Sequence, residues 1–277
     1  MLENKVKILV VTHKPVKVYH DDVYIPIQVG RNLSEYELNW QGDNTGDNIS
    51  DKNLTYCELT AQYWAWKNLK GVEYIGLCHY RRYFDFHRQG KLFLSQTNYS
   101  DQIFSSLDLS IPDTVFDYID EGKIVLAKPV NLRESVYVQY CLKHISDDLR
   151  ILEKVVKETG EMYDRAFRKV VYESHKFSPF NMFIMRWDEF ECYCDWLFQV
   201  LKSVEERIDI SCYNMVQKRV YGYMAERLLN VYVEAHGLSI RYYPVICLNN
   251  EKNECGFYAE IQNMCKNLSF TFSLHSK

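Results

Sequence analysis

Hydrophobic positions along the chain fall into two kinds of run that alternate. Short runs that are apolar almost throughout lie at 5–11 (KVKILVV), 74–78 (YIGLC), 123–127 (KIVLA), 180–186 (FNMFIMR) and 239–245 (SIRYYPV). Runs of this length, rich in β-branched residues, read as buried strands. Between them lie longer stretches with apolar residues at helical spacing, at 55–70, 134–145, 147–159, 162–173, 187–204 and 213–236. Thr55 and Glu58 have the spacing of a capping box and predict the start of the first helix, with Gly71 as its stop. Asp147 and Gly160 bracket another helix, and Gly237 closes the last. A shorter helix is expected through Phe116 and Ile119. The run at 24–30 (YIPIQVG) is interrupted by Pro26, which argues against a central strand.

Strands alternating with helices predict an α/β fold with a mixed, mainly parallel sheet flanked by helices, and extra helices in the middle region. No repeat, low-complexity segment or linker breaks the chain, so one domain over 1–277 is the simplest account.

Two segments depart from this alternation. Residues 42–53 (GDNTGDNISDKN) concentrate Gly, Asp and Asn, which favour turns, in a loop long enough to be functional. Residues 79–84 (HYRRYF) put two adjacent guanidiniums among aromatic rings at the carboxyl end of a strand. In open α/β sheets ligands bind at that edge, and the planar fork of arginine suits phosphate oxygens. Pro15 stops the first strand and leaves Thr12, His13 and Lys14 in a loop at the same edge. With the turn at Lys128, four loops would converge and supply cations, carboxylates and amides. Lys14, Arg81 and Arg82 would face phosphates. Asp43, Asn44, Thr45, Asp47 and Asn48 would face hydroxyls, a base or a metal ion. Thr12, His13 and His79 complete the donor-binding set, although both histidines also suit a scaffold role. Equally, Asp and Asn in such a loop are turn formers, and arginine stacked on aromatics stabilises surfaces.

Composition narrows the field. The chain has 277 residues, 47% hydrophobic and 25% charged, enough for a sizeable core. A net charge of −4 gives no electrostatic reason to expect nucleic acid. Nine cysteines occur without CxxC pairs, and no signal-peptide pattern is present, so reduced, mostly core thiols in the cytoplasm are expected. No run approaches the ~20 apolar residues of a membrane span. The absence of GxGxxG and GxxxxGK[ST] loops argues against a dehydrogenase or P-loop kinase.

Candidate bases are two. Glu226 lies one turn beyond Gly222 in a helical pattern, where it serves as a general base or as an ion pair with Arg219 or Arg227. Asp188 follows the FNMFIMR strand, where it is a second carboxylate or a stabiliser of a helix N-terminus.

The blocks KILVVTHK, IPIQVG, GDNTGDNIS, YCELTAQYWAWKN, YIGLCHYRRYF, FNMFIM and YGYMAERLL stand in that order over roughly 5–245. In them the chain resembles a bacterial galactofuranosyltransferase family of capsule, exopolysaccharide and O-antigen loci, formerly a domain of unknown function. The resemblance implies a GT-A-like fold and a UDP-galactofuranose donor. It implies a lipid-linked glycan acceptor, a cytoplasmic location at the inner face of the cell membrane with peripheral contact, and inversion at the anomeric carbon. The usual Asp-x-Asp metal motif is not evident; HYRRYF stands where it would be sought. Arginines are therefore expected to do work normally given to a divalent metal, so no cofactor is required, while Asp43 and Asp47 leave room for Mn²⁺ or Mg²⁺. Another UDP-hexose donor, galactopyranose or glucose, and a non-catalytic glycan- or nucleotide-binding subunit remain the alternatives.

Overall fold

A computed structural model describes residues 5–87, 93–95 and 104–249. The strands are β1 (Val6–Thr12), β2 (Tyr24–Gln28), β3 (Gln41–Gly42), β4 (Tyr74–His79), β5 (Arg82–Phe84) and β6 (Phe93–Ser95). They continue with β7 (Lys123–Ala127), β8 (Val130–Asn131), β9 (Lys176–Phe177), β10 (Phe183–Arg186), β11 (Ser239–Tyr243) and β12 (Val245–Asn249). Contacts cluster in two compact units. Within the described residues the first holds 5–128, 179–195 and 238–249, and the second 129–178 and 196–237.

The first unit is built on a ten-stranded sheet whose main path runs β11-β7-β10-β4-β1-β2-β3. β1 pairs in parallel with β2 and β4, and β7 with β11. β10 runs antiparallel between β4 and β7. The carboxyl ends of β1, β2, β4, β7 and β11 therefore share one edge. Side chains alternate across the sheet. Val6, Ile8 and Val10 of β1, with Tyr74 and Cys78 of β4, join Leu109, Phe116 and Ile119 in one core cluster. Helix α3 (Asp113–Asp120) supplies part of that cover. On the other face Phe183 meets Phe190 and Tyr193 of helix α7 (Trp187–Glu205), which passes from the first unit into the second. Gly76 lies between Ile8 and Ile184, and a Cβ there would come within 3.0 and 3.1 Å of their Cγ1 atoms, so the packed sheet needs glycine.

The second unit holds the two-stranded β8–β9 ladder and helices α4 (Val136–Lys143), α5 (Ser146–Thr159), α6 (Glu161–Phe167) and α8 (Val220–Ala235). α5 buries Leu149, Leu152, Val155 and Val156, one face at helical spacing.

Several expectations are corrected in detail. The capping box at Thr55 does not form: Cys57 has φ 53°, so a short α1 (Asn53–Tyr56) ends there and α2 (Leu59–Asn68) starts afresh. Thr55 Oγ1 donates instead to Lys52 O (3.0 Å), and Glu58 Oε1 accepts from Asn181 Nδ2 (2.6 Å). The Pro26 run is an interior strand. Ile8 N donates to Val23 O and Val29 N to Thr12 O, so alternate residues of β2 face β1 and the Pro26 nitrogen lies on the opposite side. There β3 begins only opposite Ile27, so no ladder bond is lost. The run at 239–245 breaks at Pro244 into β11 and β12. The helix expected over 162–173 widens after Phe167, where Arg168–Glu173 is a π-helix. Of the seven described cysteines, Cys78, Cys194 and Cys247 are buried, whereas Cys192 and Cys212 are exposed. Cys255 and Cys265 lie outside the described residues.

Candidate functional site

The two arginines occupy a hairpin. His79, the last residue of β4, pairs antiparallel with Arg82, the first of β5, so Tyr80 and Arg81 form the tip at the carboxyl edge of the sheet. Tyr80 N donates to Val11 O (3.0 Å) and Leu248 N to Arg81 O (2.8 Å), anchoring the tip between β1 and β12. Arg81 lies 5.7 Å from the Tyr80 ring centroid, and Arg82 stacks 4.4 Å from that of Phe180. Both guanidiniums act on Cys247: burial raises its thiol, and Arg82 and Arg81 pull it back down. His79 is buried, with Nε2 2.7 Å from Phe180 O, so this nitrogen carries the proton and donates. Phe180 and Asn181, held by His79 and Glu58, both have positive φ (77° and 53°). Non-glycine residues in that region store strain that surrounding contacts must hold.

Next to the hairpin, the β1 loop presents His13 and Lys14 to solvent over a fully buried Thr12. The His13 ring meets Tyr80 edge-on at 5.8 Å. Thr12 Oγ1 accepts from Lys14 N (3.3 Å), and Tyr36 OH donates to His13 O (2.9 Å).

One strand further out, Asp43 is an organiser of backbone. It is fully buried. Its Oδ1 accepts from Ser50 Oγ (2.5 Å) and Arg31 N (3.1 Å), and its Oδ2 from Thr60 Oγ1 (2.6 Å) and Gly30 N (2.8 Å). A carboxylate offers about four lone-pair sites. All four are used within the chain, so the position read as a hydroxyl or metal ligand instead ties the ends of β2 and β3 to the turn at Ser50 and to α2.

The rest of the 42–50 loop is pinned onto α2. Trp64 Nε1 and Gln41 Nε2 donate to Thr45 Oγ1 (2.8 and 3.0 Å). Asn68 brackets Asp47, accepting from its N–H (3.1 Å) and donating to its carbonyl (2.7 Å), while Tyr63 OH donates to the Asp47 carboxylate (3.2 Å). Asn48 Nδ2 donates to the Asn44 and Gly46 carbonyls, and Asn44 Nδ2 to Asn32 Oδ1 (3.0 Å). Thr45, Gly46 and Asp47 remain exposed.

Thr12, His13, Lys14, the 42–48 residues, His79, Arg81 and Arg82 thus follow the carboxyl ends of β1, β3 and β4 at one edge of the sheet. Lys128 lies at the same edge beyond β10, its N–H donating to Tyr243 O (2.8 Å). Asp188 does not join them. β10 runs the other way and Arg186 pairs with Tyr74, the first residue of β4. At ~3.3 Å per residue that end lies about 16 Å from the hairpin. There Asp188 accepts from Arg186 Nε and Nη2 (3.1 and 3.0 Å), which lower its carboxyl below the usual range. Glu226 belongs to the second unit, its side chain 21% exposed and paired with Arg227 at 3.0 Å.

One carboxylate escaped notice in the sequence. Asp85 directly follows β5, is 1% exposed, and its N–H donates to Pro244 O (2.8 Å). The signal was present: a lone acid inside the aromatic run Tyr83-Phe84-Asp85-Phe86. Among the described residues no group of three or more His, Cys, Asp and Glu is placed to hold a metal ion. Nor is any described helix long and apolar enough to cross a membrane.

The geometry agrees with what comparisons reveal. The chain is similar, at 31% identity and a TM-score of 0.79, to a solved structure described as the apo form of the bifunctional glycosyltransferase WbbM. The match covers 90% of this chain and 46% of that one, so the chain spans about half its length. The fold is accordingly the GT-A-like arrangement, a mainly parallel central sheet flanked by helices. No curated protein matches. A family profile, described as domain of unknown function DUF4422, matches residues 7–237, and the chain belongs to that family.

Proposed function

We propose that the chain is a sugar-nucleotide-dependent glycosyltransferase that moves galactofuranose from UDP-galactofuranose to a glycan acceptor of cell-surface polysaccharide synthesis. The observation that carries this reading is the likeness to WbbM over 90% of the chain, with a cationic hairpin at the carboxyl edge of the sheet. The choice of galactofuranose rests on the sequence blocks named above.

In this reading Arg81, Arg82 and Lys14 face the diphosphate. Cations there lower the barrier by stabilising charge as it develops on the leaving group. The exposed Thr45–Asp47 stretch and His13 face the sugar and nucleoside, and Asp43 shapes the loop without touching the donor. Glu226 takes the proton of the acceptor hydroxyl. The acceptor oxygen bonds to the anomeric carbon while the bond from that carbon to the β-phosphate oxygen breaks. The electron pair leaves with UDP, and the configuration inverts. The acceptor is a lipid-linked glycan met at the inner face of the cell membrane. The arginines make a divalent metal dispensable.

The test is incubation with UDP-galactofuranose, UDP-galactopyranose or UDP-glucose and a synthetic glycan acceptor, following UDP release. Turnover with the furanose donor is expected. Turnover with only a pyranose donor would move the donor assignment. Absence of turnover with all three, together with saturable glycan binding, would replace the enzyme reading by that of a binding subunit.

A further inference from the structure

Arg227 is among the largest fully buried side chains of the protein. Its guanidinium stacks 4.8 Å from the Phe177 ring centroid and 5.2 Å from that of Tyr140. One terminal nitrogen donates to Tyr223 O (2.9 Å) and to Glu226 Oε2 (3.0 Å), and the other to Gln139 Oε1 (2.7 Å). Rings and three acceptors together fix the position of the fork. A buried cation is costly unless paired. Its carboxylate partner, Glu226, keeps 21% of its side chain open to solvent. A rigid buried cation thus holds one oxygen of a carboxylate that also reaches the surface. An ordinary surface ion pair is built the other way, with both partners mobile and solvated.

We propose that Arg227 is the positioning residue for Glu226: by fixing one carboxylate oxygen it aims the carboxylate that takes the acceptor proton. This rests on Glu226 being the base of the transfer reaction. Lysine could not replace the fork, because a single ammonium cannot meet Gln139, Tyr223 and Glu226 in the same planar arrangement.

The charged and titratable groups around this pair come from several elements. From α4, Tyr140 faces Arg227, and His144 just beyond that helix packs on Tyr140; burial, with the Arg227 charge second, lowers His144 to about 3, so it adds no competing cation. Lys143 also lies on that helix, and Arg219 stands 5.6 Å from the Tyr223 ring. From α5, Asp148 is pushed up to about 7 by burial and accepts from Tyr213 OH (2.7 Å). Further along α8, Glu234 is paired with Lys169, and Asp164 of α6 with Arg168. Asp148 titrates within the range of a rate profile, so it needs its own variant.

The experiment compares Glu226→Gln, Arg227→Lys, Arg227→Gln and Asp148→Asn, measuring kcat, donor KM and the pH dependence of kcat with UDP-galactofuranose and acceptor. Loss of a general base costs roughly 10²–10⁴-fold, so Glu226→Gln should lose at least ~100-fold in kcat. Arg227→Lys should lower kcat ~10-fold, the size of one misplaced contact, with donor KM unchanged and the acidic limb in place. Arg227→Gln removes the charge and should move the acidic limb upward, since an adjacent cation lowers a carboxyl pKa. Asp148→Asn should leave the limb where it is. If Arg227→Gln does not fold, Arg227→Lys decides alone. Near-normal kcat in Arg227→Lys, an unmoved limb in Arg227→Gln, or a limb that moves with Asp148→Asn overturns the positioning role while an inactive Glu226→Gln keeps the base. An active Glu226→Gln overturns both.

Discussion

Asp43→Asn is the most informative single change in the first unit. It alters one atom of a fully buried side chain and leaves volume almost untouched. The amide nitrogen cannot accept, so whichever way it turns it meets one backbone N–H and one hydroxyl. The hydroxyl, Ser50 or Thr60, can rotate and accept instead; Thr60 already has Cys57 O within 3.1 Å. The backbone N–H of Gly30 or Arg31 cannot. Leaving one buried donor unmade costs ~1–3 kcal/mol, and the bonds that survive weaken from charge-assisted to neutral at roughly 0.5–1 kcal/mol each. The expected loss is about 3 kcal/mol, a large part of the ~5–15 kcal/mol that holds a domain folded. Urea unfolding followed by tryptophan fluorescence reads it, because Trp64 bonds the 42–50 loop directly. Hydrogen exchange at 30–31 and 42–50 should rise together. A shift under 1 kcal/mol with unchanged exchange in that loop would refute the view of Asp43 as an organiser.

Asp148, raised to about 7 by burial, stabilises the fold below its ordinary value near 3.8, and that contribution is lost as pH rises through about 7. His144, lowered to about 3, acts oppositely: its contribution is complete above 6.5 and lost as pH falls toward 3. Each displacement corresponds to ~4 kcal/mol, so the two largely cancel between pH 4 and 6.5. Asp148→Asn should therefore unmask stability that rises with pH, and His144→Gln stability that falls; parallel curves for both variants in denaturant titrations would contradict this. Gly46→Ala should cost ~2 kcal/mol or more, because φ is +59° and the new Cβ would lie 2.0 Å from Asn68 Oδ1, which braces Asp47; an unchanged melting temperature would count against the pinned loop. Treatment with EDTA should leave turnover within about twofold, given that arginine clamps can neutralise phosphate charge, whereas complete loss restored by Mn²⁺ would show that a metal does this work.

What was legible in the sequence was local. KIVLA is β7 residue for residue, and the runs at 5–11 and 74–78 are β1 and most of β4, because uninterrupted β-branched runs have few other uses in a globular core. The helical stretches around α5, α7 and α8 were equally plain from their spacing. Strand direction was not legible: FNMFIMR reads identically in either sense, and its antiparallel course is what separates Asp188 from the arginines. Nor was the second partner of β5, since β12 follows it by more than 160 positions. Asp43 looked like a turn former among turn formers. Its burial depends on two backbone N–H groups delivered by the end of β2, which composition cannot reveal. The sequence offered Arg227 only as an ion-pair partner of Glu226, yet it points inward because Tyr140, Phe177 and Gln139, distant in sequence, receive it.

The central claim is that the His79–Arg82 hairpin holds the diphosphate of a sugar nucleotide. Calorimetric titration of UDP into the wild type, Arg81→Ala and Arg82→Ala measures it directly. Both arginines are partly exposed and neither serves the apolar core, so both variants should fold, as circular dichroism would check. Loss of a charge-assisted phosphate contact is worth ~1.5–3 kcal/mol, so each variant should bind UDP at least ~10-fold more weakly. Affinity equal to wild type in both folded variants would contradict the account.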